Sequence, residues 1–183
     1  ASCYVNESLI VNMTNEGTNK TAGFVVYNAT DENGKGKIIN CYISGIHSGF
    51  ITTIYANDTA SVVRSSTEVA GFVYENNGNV QNSYSDIPIL SSSKNAGFVF
   101  TNNGKIFNTF STCLLKSNSQ ESYGFVYDNS SGQISTSYYL ADAELNLSIN
   151  TSNKFISGLK EFKISDFSNE DNFSTFAFSQ NGE

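Results

Sequence analysis

Apolar residues along this chain come in short runs separated by polar turns, and the runs repeat. Ala22-Gly23-Phe24-Val25, Ala70-Gly71-Phe72-Val73, Ala96-Gly97-Phe98-Val99 and Tyr123-Gly124-Phe125-Val126 are four copies of one segment, with glycines 48, 26 and 27 residues apart. Ser48-Gly49-Phe50-Ile51 falls inside the long interval as a degenerate copy. That interval is either two short repeats or, the reading favoured here, one repeat with an insertion over about 43–69. Each copy is followed by a glycine, any residue, then Ile or Val: Gly36-Lys37-Ile38, Gly78-Asn79-Val80, Gly104-Lys105-Ile106 and Gly132-Gln133-Ile134. Two residues on stands Asn40, Asn82, Asn108 or Thr136, and two beyond that Tyr42, Tyr84, Phe110 or Tyr138. A spacing of two predicts all three on one face of a strand. Asn76-Asn77-Gly78, Asn102-Asn103-Gly104 and Ser130-Ser131-Gly132 predict turns, because these residue types tolerate φ > 0 and bond their own backbone.

A unit of about 26 residues with two or three short strands cannot bury its own apolar face, so consecutive units must stack. The expected fold is all-β: a parallel β-helix, or solenoid, of about five rungs over residues 1–157, closed by a segment over 158–183. Stacking at about 4.8 Å aligns Phe24, Phe72, Phe98 and Phe125 in one ladder and Val25, Val73, Val99 and Val126 in another. Glu75, Thr101 and Asp128 suggest that their parity faces solvent, which puts the Phe column inside and the valines outward or at a corner. Asn40, Asn82 and Asn108 are expected to form a partly buried amide ladder. Phe162, Ile164, Phe167, Phe173, Phe176 and Phe178 offer apolar cover for the far end.

These residues resemble the GLUG-type repeat, Gly-Leu-Val-x-x-Asn-x-Gly-x-Ile-x-Asn-Ser-Tyr, of filamentous-haemagglutinin-like adhesins and other large surface proteins, with Phe in place of Leu. The resemblance covers roughly residues 1–140. Gly158-Leu159-Lys160 through Phe176-Ala177-Phe178 is similar to the segment that closes such arrays, although family members usually carry Trp-Asp-Phe where this chain has Phe176-Ala177-Phe178. The resemblance implies a right-handed β-helix in a secreted or surface protein, and it implies no catalytic residues.

Composition narrows the function further. The 183 residues include 24 Asn and 41 Ser or Thr but a single proline, Pro88, and no Trp, a bias that suits strands and turns. The net charge is −7 with one arginine, Arg64, so no basic face invites nucleic acid. No apolar run approaches the roughly 20 residues of a membrane span. Cys3 and Cys41 share a repeat position on successive rungs, at a separation that allows a disulfide; two stacked thiols are the alternative, and Cys113 has no evident partner. Three scattered cysteines and the lone His47 give no metal-ligand spacing, and no metal or cofactor is expected.

Nine Asn-x-Ser/Thr sequons, at Asn6, Asn12, Asn19, Asn28, Asn57, Asn129, Asn146, Asn150 and Asn172, exceed the about five that this composition gives by chance and mark candidate glycan sites. Asn40, Asn82 and Asn108 are not sequons, so glycans are expected to avoid their ladder. The carboxylates that approach one another in sequence or by repeat position, Asp31 with Glu32, Asp142 with Glu144, and Glu75 with Asp128, read more simply as solvated turns or outward strand positions than as an acid–base pair. No enzymatic activity is expected. Ser2-Cys3-Tyr4 aligns with Asn40-Cys41-Tyr42, so the first residues open in mid-repeat, as an excerpt of a longer array or as an end where another protomer docks. The expected role is an extracellular or cell-surface structural or adhesive segment, a rigid rod or filament subunit that meets more β-structure at its N-terminal end. A polysaccharide-binding or polysaccharide-cleaving β-helix is the alternative.

Overall fold

The computed structural model of the chain describes residues 3–6, 9–12, 20–30, 36–45, 62–65, 67–91, 93–117, 121–140 and 156–173. Their secondary structure is almost entirely β. In chain order the strands are β1 (Cys3–Asn6), β2 (Leu9–Asn12), β3 (Thr21–Ala22), β4 (Val25–Asn28), β5 (Lys37–Ile39) and β6 (Cys41–Ser44). A second pass brings β7 (Val62–Ser65), β8 (Val69–Ala70), β9 (Val73–Asn76) and β10 (Asn79–Asp86). A third brings β11 (Ile89–Ser91), β12 (Asn95–Ala96), β13 (Val99–Asn102) and β14 (Lys105–Ser111). A fourth brings β15 (Leu115–Ser117), β16 (Ser122–Tyr123), β17 (Val126–Asp128) and β18 (Gln133–Leu140), after which β19 (Leu159–Phe162) leads into a helical turn, α1 (Ile164–Phe167), and a 3-10 turn, Glu170–Phe173.

Every pairing among these strands is parallel. Sheet A runs β1-β6-β10-β14-β18-β19 with β5 also on β10; sheet B runs β15-β11-β7-β2, sheet C β16-β12-β8-β3 and sheet D β17-β13-β9-β4. Each pass therefore visits B, C, D and A in the same order. β4 pairs directly with β9, Val25 opposite Val73, which makes these two copies consecutive in sheet D. Residues 46–61, which include Ser48-Gly49-Phe50-Ile51 and His47, lie outside the described residues.

The four sheets share one apolar core. Ile38, Ile43, Val80, Ile106 and Ile134 come from sheet A, Ile89 and Leu115 from B, Val69 from C, and Val73, Val99 and Val126 from D. Phe72, Phe98 and Phe125 stand with them, fully buried. Their rings stack 4.9 Å apart, with Phe24 over Phe72 at 4.8 Å. The expectation that the valines face outward or a corner is corrected, because Phe and Val both point inward. Gly71 and Phe72 form a bend between β8 and β9, and there the N–H groups of Phe72 and Val73 both donate to the Phe98 carbonyl at 3.0 Å. Two successive N–H groups aimed the same way break the strand alternation, so two successive side chains share a face.

The glycines are set by the same close stacking. A Cβ on Gly71 would lie 2.1 Å from the Gly97 carbonyl oxygen, and one on Gly104 2.0 Å from that of Gly78. The residue types of the Asn-Gly turns tolerate φ > 0, but the turn glycines Gly78, Gly104 and Gly132 do not use it. Gly158 is the one described glycine at positive φ, and the left-handed positions fall on Asn40, Asn82, Asn108 and Thr136, at φ 56°, 49°, 51° and 48°.

That placement overturns the single-face expectation for sheet A. At each left-handed residue the side-chain parity resets: Val80 points inward before Asn82, while Ser83 and Ser85 point inward after it. Tyr42, Tyr84 and Phe110 consequently stack at 4.8 Å on the opposite face from the core. Phe167 and Phe173 from the C-terminal turns pack obliquely and edge-on to Phe110 at 5.9 Å, and Phe162 stacks on Tyr138 at 4.2 Å. These phenylalanines cover the outer aromatic column, and it is Ile156 and Leu159 that pack against the core itself. Phe176 and Phe178 lie outside the described residues.

Candidate functional site

The polar chemistry of the chain is arranged in columns that run from pass to pass. One buried column joins Asn76 and Asn102, turn formers in the sequence, with Asn28 and Asn129, which the sequence marks as sequons. Asn28 Nδ2 donates to Asn76 Oδ1, Asn76 Nδ2 to Asn102 Oδ1 and Asn102 Nδ2 to Asn129 Oδ1, each at 2.7 Å, and Asn76 and Asn102 are wholly buried. A buried amide needs partners, and an identical amide one strand away supplies a donor and an acceptor at once. The constant spacing Val-x-x-Asn, from Val25 to Asn28 through Val126 to Asn129, was the available signal. The expected ladder also exists but is looser: Asn82 Nδ2 reaches Asn40 Oδ1 at 3.2 Å and Asn108 Nδ2 reaches Asn82 Oδ1 at 3.4 Å, with Asn40 exposed and Asn108 buried.

A second column missed in the sequence alternates in charge. Register places Lys20, Glu68, Lys94 and Glu121 just before the paired residues Thr21, Val69, Asn95 and Ser122. They edge a second apolar cluster of Ala70, Tyr74, Ala96 and Phe100, joined by Ala22 and Tyr127. Tyr74, Phe100 and Tyr127 stack at 4.8 and 4.5 Å, while Lys20 Nζ and Lys94 Nζ lie 5.3 and 5.2 Å from the Tyr74 and Tyr127 ring centres. Tyr74 donates its hydroxyl to Glu68 at 2.5 Å, and burial together with that carboxylate holds the phenol well above its ordinary range.

The candidate carboxylates do not converge. Glu75 and Asp128 both pair with Thr101, from opposite sides, so a whole strand separates them. Glu75 binds Lys20 at 2.9 Å, and the hydrogen bonds from Lys20 and Asn77 pull its pKa down. Asp128 accepts the Ser130 N–H at 2.9 Å. Asp31, Glu32, Asp142 and Glu144 lie outside the described residues. Among the described residues no three His, Cys, Asp or Glu side chains come close enough to hold a metal ion, and no helix is long and apolar enough to cross a membrane.

Cys3 and Cys41 are register partners on β1 and β6 and are both thiols, Cys3 exposed and Cys41 buried. Burial raises the Cys41 pKa, and its Sγ donates to the Ile39 carbonyl at 3.3 Å. Cys113 is buried against Ser85 Oγ at 2.9 Å and donates to the Gly97 carbonyl; burial pushes its pKa up to about 11.

Three sequons have described side chains, and all three amides are engaged. Asn28 Nδ2 is committed to the buried ladder, Asn129 Nδ2 donates to the Gly132 carbonyl at 3.4 Å, and Asn172 Nδ2 to the Asp166 carbonyl at 3.0 Å. The Asn40, Asn82 and Asn108 ladder holds no sequon, but Asn28 and Asn129 belong to the other, buried ladder. Asn6 and Asn12 end β1 and β2, and Asn19, Asn57, Asn146 and Asn150 lie outside the described residues.

Comparison with known proteins gives no relative: no family model matches the chain, nor does any curated protein or solved structure.

Proposed function

We propose that this chain is a segment of a right-handed parallel β-helix of about five rungs, acting as a rigid structural or adhesive rod outside the cell, in the manner of the GLUG-type surface proteins its repeats resemble. The observation that carries the reading is the direction of its polar contacts. Amides and aromatic rings contact their counterparts one pass away, as do Lys94 and Glu121, so the stack itself is what these side chains serve. More β-structure, from the same chain or another protomer, continues the array beyond β1–β4, and glycans decorate the sequons that the ladders leave free.

Lengthening the array tests this. Residues 95–121 form one full repeat, since Asn95 pairs with Ser122. Inserting three further copies after Glu121 extends the particle by about 14 Å in small-angle scattering, at about 4.8 Å per added strand, and thermal stability holds or rises. A product that misfolds, or that grows in width instead of length, defeats the coil and with it the rod.

A further inference from the structure

One polar column is not spent on the stack. Beside the Asn-Gly turns a cleft of about 270 Å³ runs across three passes, lined by Asn77, Asn79, Asn103, Lys105, Ser131 and Gln133 together with the turn glycines. Asn79, Lys105 and Gln133 follow Lys37 in one register column. Among the described residues, the side chains of Asn79, Lys105 and Gln133 make no hydrogen bond to the protein, in contrast to the amides of the buried ladder. The lining contains no carboxylate although the chain carries −7 overall, and Glu75, which accepts from Asn77, is itself paired with Lys20. One side-chain position further along the same face of β14 stands Phe107, 38% exposed. Its register neighbours are Gln81 and Ser135, so neither packing nor repeat identity calls for an aromatic there.

The geometry points to this cleft as a binding site for an acidic oligosaccharide, a function beyond that of a passive rod. Unbonded amides present a donor and an acceptor each, the pairing that a sugar hydroxyl requires. Lys105 is a point charge for a ring carboxylate, and the exposed face of Phe107 offers apolar area for the C–H side of a sugar ring. The column presents a polar or basic side chain at every pass, about 4.8 Å apart, so a chain of sugar rings can run along it.

The probe is a short alginate oligomer, an all-uronate chain, alongside its methyl ester, titrated into the full chain and followed by the side-chain amide signals in nuclear magnetic resonance. Binding of the acid moves the amides of Asn79, Asn103 and Gln133 and leaves Asn76 and Asn102 in place. Phe107→Ser weakens the acid by about tenfold, and Lys105→Gln reduces its affinity to that of the ester. Both replacements already occupy the equivalent position one pass on, at Ser135 and Gln133, so the fold tolerates them. The site is overturned if the acid moves no cleft amide at millimolar concentration, if the shifts map elsewhere, or if the ester binds as well as the acid. None of these outcomes touches the rod, because lengthening by inserted repeats does not use this face.

Discussion

Removing one amide from the middle of the buried ladder should cost far more than removing an exposed amide beside it. Asn102 is wholly buried, accepts from Asn76 and donates to Asn129, both at 2.7 Å. Asn102→Ala deletes two hydrogen bonds worth about 1 kcal/mol each, and it leaves the wholly buried Asn76 Nδ2 with only a 3.5 Å contact to the Lys105 carbonyl. Orphaning that donor costs about 1–3 kcal/mol in place of its share of the lost bonds, while Asn129, partly exposed, recovers a partner from water. The total is about 2–4 kcal/mol. With a urea slope of about 2 kcal/mol per molar, the unfolding midpoint falls by about 1–2 M. The control is the neighbouring Asn103→Ala, which loses one exposed bond to Asn77 at 2.9 Å and should change stability by less than about 0.5 kcal/mol. Equal midpoints for the two variants would refute the claim that the inner ladder holds the passes together.

Thr136 is a β-branched residue at φ 48° where the other passes carry Asn, so Thr136→Asn should stabilise the chain by about 1 kcal/mol, read as a higher midpoint in thermal or urea unfolding; no gain would mean the left-handed position is unstrained. The buried Cys113 thiol titrates near pH 11 when folded, above its ordinary value of about 9. Its contribution is complete below that ordinary value and is lost as pH rises through about 11, on the order of 2–3 kcal/mol, a decline that Cys113→Ala should flatten in urea midpoints compared between pH 8 and 11. Protein secreted from a host that glycosylates should carry no sugar at Asn28 in its folded fraction, because the attachment atom is the ladder donor; peptide mapping that finds Asn28 occupied in folded material would contradict the ladder.

The all-β class and the parallel stacking were legible in the Gly-Phe-Val copies, because a glycine forced by the next carbonyl and a phenylalanine stacked on its equivalent must recur at fixed spacing. Side-chain direction was not. Strict alternation holds only within a strand, and this chain breaks it twice per pass: at the Gly-Phe bend, which turns Val73 inward, and at Asn82, whose left-handed backbone sends Tyr84 out. The Lys20, Glu68, Lys94 and Glu121 column was hidden for another reason. Opposite charges 26 to 48 residues apart mean nothing until register makes them neighbours. Asn28 and Asn129 read first as sequons because local sequence fixes a sequon, whereas the partners of an amide are set by the fold.

The buried amides all point the same way, each donating from one pass to the next, from Asn28 to Asn129. A single amide that turned over would face its own kind, nitrogen to nitrogen on one side and oxygen to oxygen on the other, so reversal is open only to the row as a unit. The array therefore has a built-in arrow: its two ends differ chemically as well as in chain direction, and a repeat inserted backwards in this respect is rejected by both neighbours. Orientation in such a row is a collective property that no single asparagine possesses.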